Sequence, residues 1–439
     1  MERICSDPNL ERSFRQNGLA YMEQYMNQHI VKKWISVIEA CDKEEKGEEE
    51  VLHREEAALS HSHYIFIYGA GYVGRMIYLR LSKRIKIDCF AVTSRKPGET
   101  DFLGVPIREI SELKYPPNET VAIVGVGGKY EDEVVRTLQE YGFNNFSFPY
   151  IEPMSGEYYS TCKELDIKSE LLDWYRLHTG KDIDLEHPQS YNEKIQWLKL
   201  YDSQPQKTKL SDKFAVREYV SEKIGETCLI PLLGVWDSFS EIDFSLLPNQ
   251  FVLKCTHGSG TNLVVTDKTK LDYAETKRKF DRWMEMDYSL MSGFEMHYAG
   301  IMPRIIAEEL LETEGGEDLR DYKVFVFNGH TKLIQVDLDR NHTHRRNLYT
   351  PEWEYVPCSI KYPTAPEVII DKPACLEEMI RAAETLAEGF IHVRVDFYIC
   401  GSQLFFGEMT FTHGSGIEPF VPEEYGLTMG EWMEIPKGE

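Results

Sequence analysis

Val393-Arg394-Val395-Asp396-Phe397-Tyr398, a turn around Gly401, and then Leu404-Phe405-Phe406-Gly407-Glu408-Met409-Thr410 are the residues on which the reading of this chain turns. Apolar residues alternate with polar ones, the period of two that marks a strand. Arg394, Asp396 and Tyr398 therefore share one face of the first strand, and Glu408 and Thr410 share one face of the second. A tight turn brings Asp396 and Glu408 close across the pair, where two carboxylates repel. Either a divalent cation or a neighbouring base such as Arg394 relieves that repulsion. Magnesium suits the first solution, since it takes one or two carboxylates and fills its other positions with phosphates and water. The strands are apolar around the pair, which argues against a merely solvated face and favours the metal.

Upstream, Asp321-Tyr322-Lys323-Val324-Phe325-Val326-Phe327, Asn328-Gly329 and Thr331 to Val336 read as a hairpin with Lys323 in its first strand. Arg304 to Glu312 is an apolar strand running into Glu308 and Glu309, carboxylates that either face solvent or accept from a nucleotide's amino and hydroxyl groups. Phe251 to Val265 places Lys254 just before His257-Gly258-Ser259-Gly260, between two β-rich runs. A plain hairpin explains the glycines. A loop whose backbone N–H groups close over phosphates, with Lys254 as point charge, explains the lysine as well. No Gly-Lys-Ser/Thr follows, so this is not a Walker loop. Further upstream, Ser190 to Glu193 is a capping box, and a second helix is expected to start at Ser211-Asp212-Lys213 and stop at Gly225.

The N-terminal third is different in kind. Tyr64 to Tyr68 runs into Gly69-Ala70-Gly71-Tyr72-Val73-Gly74 and then a helical pattern, the strand–glycine–helix order that holds an anion at a helix N-terminus. A dinucleotide site also needs an acidic residue after the second strand, and Thr93-Ser94-Arg95-Lys96 stands there instead. Residues 61–150 resemble the small Rossmann-like domains attached to enzymes of bacterial surface-polysaccharide synthesis. That resemblance implies either a nucleotide-sugar ligand at Gly69, Gly71 and Gly74 or a scaffold. Residues 1–60 show helical spacing and end in the acidic linker Asp42 to Glu56.

Composition narrows the class of partner. The net charge of −24 over 439 residues argues against nucleic acid and anionic lipid as general partners. Nine cysteines without CxxC spacing fit reduced thiols, and with no leader pattern and no apolar run of about 20 residues the expected location is the cytoplasm.

Taken in order, the pieces resemble the ATP-grasp superfamily, and their wording resembles its TupA-like branch, named for teichuronopeptide biosynthesis. The likeness rests on Asp212-Lys213, the segment Lys254 to Gly260, Asp321 to Gly329, and Val393 to Gly416, and covers roughly Tyr158 to Lys437. It implies an α/β and α+β chain: a Rossmann-like parallel sheet followed by an ATP-grasp fold over 158–439. It implies ATP and magnesium, and activation of a carboxylate as an acyl-phosphate that an amine then attacks. Lys213 and Lys254 would bind phosphates under the loop His257, Gly258, Ser259 and Gly260. Glu308 and the backbone of Glu309 and Leu311 would hold adenine, and Lys323 would reach the γ-phosphate or the substrate carboxylate. Lys254, Lys323 and Arg394 are thus the candidate catalytic residues, and Asp396, Glu408 and Thr410 the candidate metal ligands. The family carries Asn where this chain has Thr410. A glycosyltransferase of capsule synthesis and a non-catalytic nucleotide-binding scaffold are the alternatives.

Overall fold

A computed structural model describes residues 62–127, 130–149, 154–162, 165–311, 319–338 and 344–436. The expected N-terminal helices and acidic linker lie outside these residues. The described residues fall into two compact units, one ending at Met154 and including Asp173–Asp182, the other comprising Ser155–Leu172 and the chain from Ile183 onward.

The first unit is built on strands β1 (Tyr64–Tyr68), β2 (Cys89–Val92), β3 (Asp101–Phe102), β4 (Val105–Glu109), β5 (Thr120–Val124) and β6 (Phe146–Ser147). They run in the order β3-β4-β2-β1-β5-β6, all parallel except the β3–β4 pair at one edge. Among the parallel strands this order places the first in the centre and grows outward on both sides, as doubly wound sheets do. The central strands are buried along their length, with Phe66, Ile67, Ala122 and Ile123 fully enclosed, as expected of a sheet covered on both faces. Gly69 turns the chain out of β1 with φ 110°, and the helix Tyr72–Leu81 begins against it. A Cβ on Gly74 would lie 1.9 Å from the Gly69 carbonyl oxygen. That glycine is therefore required for packing. Asp173 belongs here, holding Lys83 at 2.6 Å.

The second unit carries the two antiparallel sheets on which Lys254, Glu308, Lys323, Asp396 and Glu408 stand. A four-stranded antiparallel sheet runs β7 (Leu232–Trp236), β10 (Ile305–Glu308), β8 (Phe251–Cys255) and β9 (Asn262–Val265). A six-stranded antiparallel sheet runs β14 (Tyr355–Val356), β13 (Arg345–Tyr349), β12 (His330–Leu338), β11 (Asp321–Phe327), β16 (His392–Cys400) and β17 (Gln403–Thr410). Strands β15 (Ser359–Ile360) and β18 (Phe420–Val421) form a short pair. Helix Leu376–Leu386 packs its buried Met379, Ala383 and Leu386 in the core of the larger sheet, with Val324, Val395 and Phe397. Apart from Ala383, each such apolar side chain contributes roughly 1.5–3 kcal/mol by leaving water.

Local signals set the joints. Asn328 and Gly329 both take positive φ (46° and 83°), the geometry of a two-residue hairpin turn. Both halves of the Ser190–Glu193 capping box form, worth about 1 kcal/mol. Gly225, at φ 98°, ends the helix Val216–Ile224. The expected helix start at Ser211 is corrected: the helix begins only at Val216. Asp212 instead turns the chain, its Oδ1 accepting from the Phe214 and Ala215 amides. That side-chain bond competes with helical pairing, and it leaves Lys213 on a bend. Among the described residues, no helix is long and apolar enough to cross a membrane.

Candidate active site

The β16–β17 hairpin sets Asp396 directly opposite Glu408. A bulge follows, because Phe397 pairs with Phe406 and Gly407 is left over. A Cβ at Gly407 would stand 3.1 Å from the Asp396 carbonyl oxygen. The bulge keeps Arg394, Asp396, Glu408 and Thr410 together while restoring apolar alternation beyond them.

Their charges interlock. Arg394 donates through Nε to Asp396 Oδ1 (2.6 Å) and through Nη2 to Asp396 Oδ2 (2.8 Å), Glu408 Oε1 (3.1 Å) and Thr410 Oγ1 (3.1 Å). Lys323, facing Asp396 from β11, donates to Asp396 Oδ2 (2.6 Å) and Asp321 Oδ2 (2.5 Å). Lys213 lies 3.8 Å from Glu408 and donates to the Gly258 carbonyl oxygen at 2.5 Å. Burial alone would raise the Glu408 carboxyl, but Lys213, Arg394 and Lys323 outweigh it and hold the group at about 2. Burial pushes Asp396 up as well, against the pull of Arg394 and Lys323. The Lys323 ammonium, which burial disfavours, is kept charged by Asp321 and Asp396. Arg394 therefore relieves the repulsion between the two facing carboxylates.

A second cluster forms where β8 and β10 pair. Lys254 and Glu308 are diagonal neighbours on that ladder, and Lys254 Nζ donates to Glu308 Oε2 at 2.6 Å. Arg217 takes the other oxygen at 2.9 Å and also donates to the Ile230 carbonyl. The Glu309 amide donates to Pro231 O, while Leu311 is half-buried just beyond. Gly69, Gly71 and Gly74 form their turn within the first unit.

The two Gly-Ser-Gly segments differ. His257 and Gly258 are buried, His257 bonding the Trp283 carbonyl, whereas Ser259 and Gly260 are exposed at the tip between β8 and β9. Gly414, Ser415 and Gly416 all have positive φ and are fixed from behind, where Gln196 donates to the Ser415 and Gly416 carbonyls. His413 is buried and meets Arg394 Nη1 at 2.5 Å. Between the segments opens a cavity of about 370 Å³, whose wall includes Ser259, Glu295, Tyr298, Arg394, Glu408 and Thr410. Cys255 is packed inside β8, its thiol pushed up by burial to about 12, which suits a core residue and no nucleophile.

Sequence reasoning missed Arg217, Glu295 and Lys199. Arg217 reads as the exposed side of a helix, and Glu295 stands in a segment with no periodicity. Lys199 sits in a helical pattern where a fully buried lysine is not expected.

These features meet in one class: an antiparallel two-sheet unit with lysines, a glycine loop and a carboxylate hairpin about a polar cavity. The chain belongs to the TupA-like ATP-grasp family, whose family model matches residues 193–434, more than half of the sequence. The expected fold, a parallel sheet followed by an ATP-grasp unit, holds. Similar solved structures include a D-alanine–D-alanine ligase from Helicobacter pylori (11% identity, covering 86% of this chain and 99% of that one, TM-score 0.30). Another is the D-alanine–D-alanine ligase of Bacillus anthracis (14%, 79% and 85%, TM-score 0.27). A third is N5-carboxyaminoimidazole ribonucleotide synthetase from Thermus thermophilus (11%, 79% and 71%, TM-score 0.27). Likeness at this level says nothing about residues or substrates. No curated protein matches the sequence.

Proposed function

We propose that this protein is an ATP-dependent carboxylate–amine ligase that acts through an acyl-phosphate on a cell-surface polysaccharide or teichuronopeptide precursor. The observation that carries the reading is the set of cations, Lys213, Lys323 and Arg394, drawn around Asp396 and Glu408, with Arg394 and Glu408 in the wall of a polar cavity. Such fixed charges stabilise a transferring phosphoryl group, whose charge spreads over its oxygens.

The residues also suit magnesium. Glu408 is ionised, its side chain is 32% exposed, and the Thr410 hydroxyl lies 3.1 Å from it. All the donors are hard oxygens, which that ion prefers. Asp396, Glu408 and Thr410 would hold it, and bound there it would neutralise phosphate charge. Lys213 and Lys254 would grip phosphates, and the loop from His257 to Gly260 would exclude water. Glu308 would face the adenine amino group. Lys323 and Arg394 would steady the γ-phosphoryl group as it moves to the carboxylate. Free cysteines throughout the described residues support a reducing compartment, and we place the protein in the cytoplasm.

The test is incubation with ATP, magnesium and pools of uronic acids and amino acids. ADP and phosphate release that requires both a carboxylate and an amine is the expected result. Sugar transfer from a nucleotide-sugar without ATP would replace the ligase by a glycosyltransferase.

A further inference from the structure

One carboxylate in the cavity wall has no part in the ATP chemistry. Glu295 precedes the short turn Met296–Tyr298, is 5% exposed, and shares the cavity with Glu408, Thr410 and Ser259. Its Oε1 accepts the Thr412 hydroxyl, its single hydrogen bond among the described residues. Few other groups face it. Lys199 sends its buried ammonium from the helix Tyr191–Tyr201, donating to Ser415 O and Oγ, Gly293 O and Gln196 Oε1. The rings of Tyr288 and Tyr298 meet edge to face at 4.8 Å beside it. His297, also buried, has its imidazole held neutral by burial. A buried carboxylate with one donor is costly unless a cation completes it.

We propose that Glu295 receives the ammonium group of the amine substrate and takes the proton that this amine must lose before it attacks. The inference rests on the ligase reading and names the residue for its second half-reaction. The ammonium gives one proton to the Glu295 carboxylate, and the freed lone pair forms the C–N bond at the acyl carbon. The C–O bond to phosphate breaks, and the leaving phosphate carries away the electron pair and the amine's second proton as hydrogenphosphate. Glu295 then returns its proton to solvent. Within that wall the Glu295 carboxylate supplies the charge an ammonium group requires. Burial raises the Glu295 carboxyl above the usual carboxylate range against the pull of Lys199 and Thr412, which strengthens it as a proton acceptor.

Glu295→Gln keeps the size and the Thr412 bond while removing the charge. The test pairs two nucleophiles near neutral pH, hydroxylamine, which is already neutral, and ammonium ion, with ATP, magnesium and a mixture of glucuronate and galacturonate. The variant is expected to lose about 100-fold or more with ammonium and to change less than about threefold with hydroxylamine. Equal losses with both would overturn the proposal, since a purely structural glutamate affects both alike. Calorimetry decides Glu295 independently: methylammonium chloride should bind the wild type at least about tenfold more tightly than the variant. Equal binding, or none to the wild type, would overturn it. No hydroxamate from the wild type with either acid would instead count against these acids as substrates of the ligase reading, and the binding result would still decide Glu295.

Discussion

Glu308 is shared by two cations, Lys254 and Arg217, and that sharing predicts how each residue fails. With Lys254→Ala, Arg217 still neutralises the carboxylate at 2.9 Å, so the fold persists while the phosphate contact is lost. Turnover should fall by at least about 100-fold with an unchanged melting temperature. Glu408→Gln should lose turnover likewise and keep the fold, because Thr410 and Arg394 can bond an amide, but with a lower melting temperature, because the charge that Lys213 and Arg394 stabilise is gone. Full activity in either variant would refute the assignment of the site. At this scale the sequence was partly readable. Asp396 and Glu408 could be paired on paper because strand alternation and a short turn leave little freedom. Arg217 could not be joined to Glu308, because contact between a helix and a strand distant in sequence leaves no periodic trace.

The two His-Gly-Ser-Gly elements show the same limit one level up. As words they are identical, yet one forms an exposed tip and the other a rigid turn. What separates them is the packing behind each. A Cβ on Gly260 meets nothing within 4 Å, although φ is 72°. A Cβ on Gly416, at φ 66°, would stand 2.4 Å from Gln196 Nε2 and 2.7 Å from the Ile195 side chain. Gly260→Ala should therefore lose only the left-handed preference, about 1 kcal/mol. Gly416→Ala should lose that and overpack the core, about 3 kcal/mol or more. Urea midpoints would measure both, and the reverse ranking would sink the argument. The hairpins β11–β12 and β16–β17 were legible because Asn328-Gly329 and Gly401 punctuate clean alternation. The helix start at Ser211 was misplaced because Asp212 is as good at turning a chain as at capping one.

Across the whole molecule, acid stability follows from buried imidazoles. His297 and His392 have their values lowered by burial from 6.5 to about 3. Below pH 6.5 the unfolded chain takes up these two protons and the folded one does not, so stability falls as pH falls. Glu295, raised above 4.5 by burial against the pull of Lys199, works the other way over the range above 4.5. His257 and His413, also lowered by burial, add to the loss, so the imidazoles outweigh the one carboxyl between pH 6.5 and 4.5. Below 4.5 the offset ends and Glu408, held at about 2, adds to the loss. Urea unfolding at about pH 7, 5.5 and 4 would register this steepening. A flat profile would contradict it.

The site, with its lysines paired to carboxylates, also lies in a chain of net charge −24, and ionic strength decides whether an approaching nucleotide senses the near charges or the whole chain. At about 0.01 M salt the screening length is about 30 Å, and the repulsion of the whole chain reaches out to it. At about 0.15 M it shrinks to about 8 Å, and only the site's own lysines, arginines and paired carboxylates act over the last stretch of approach. Salt should thus speed nucleotide capture over this range before slowing it. A stopped-flow rate that only falls with added salt would show that the local field dominates at every distance.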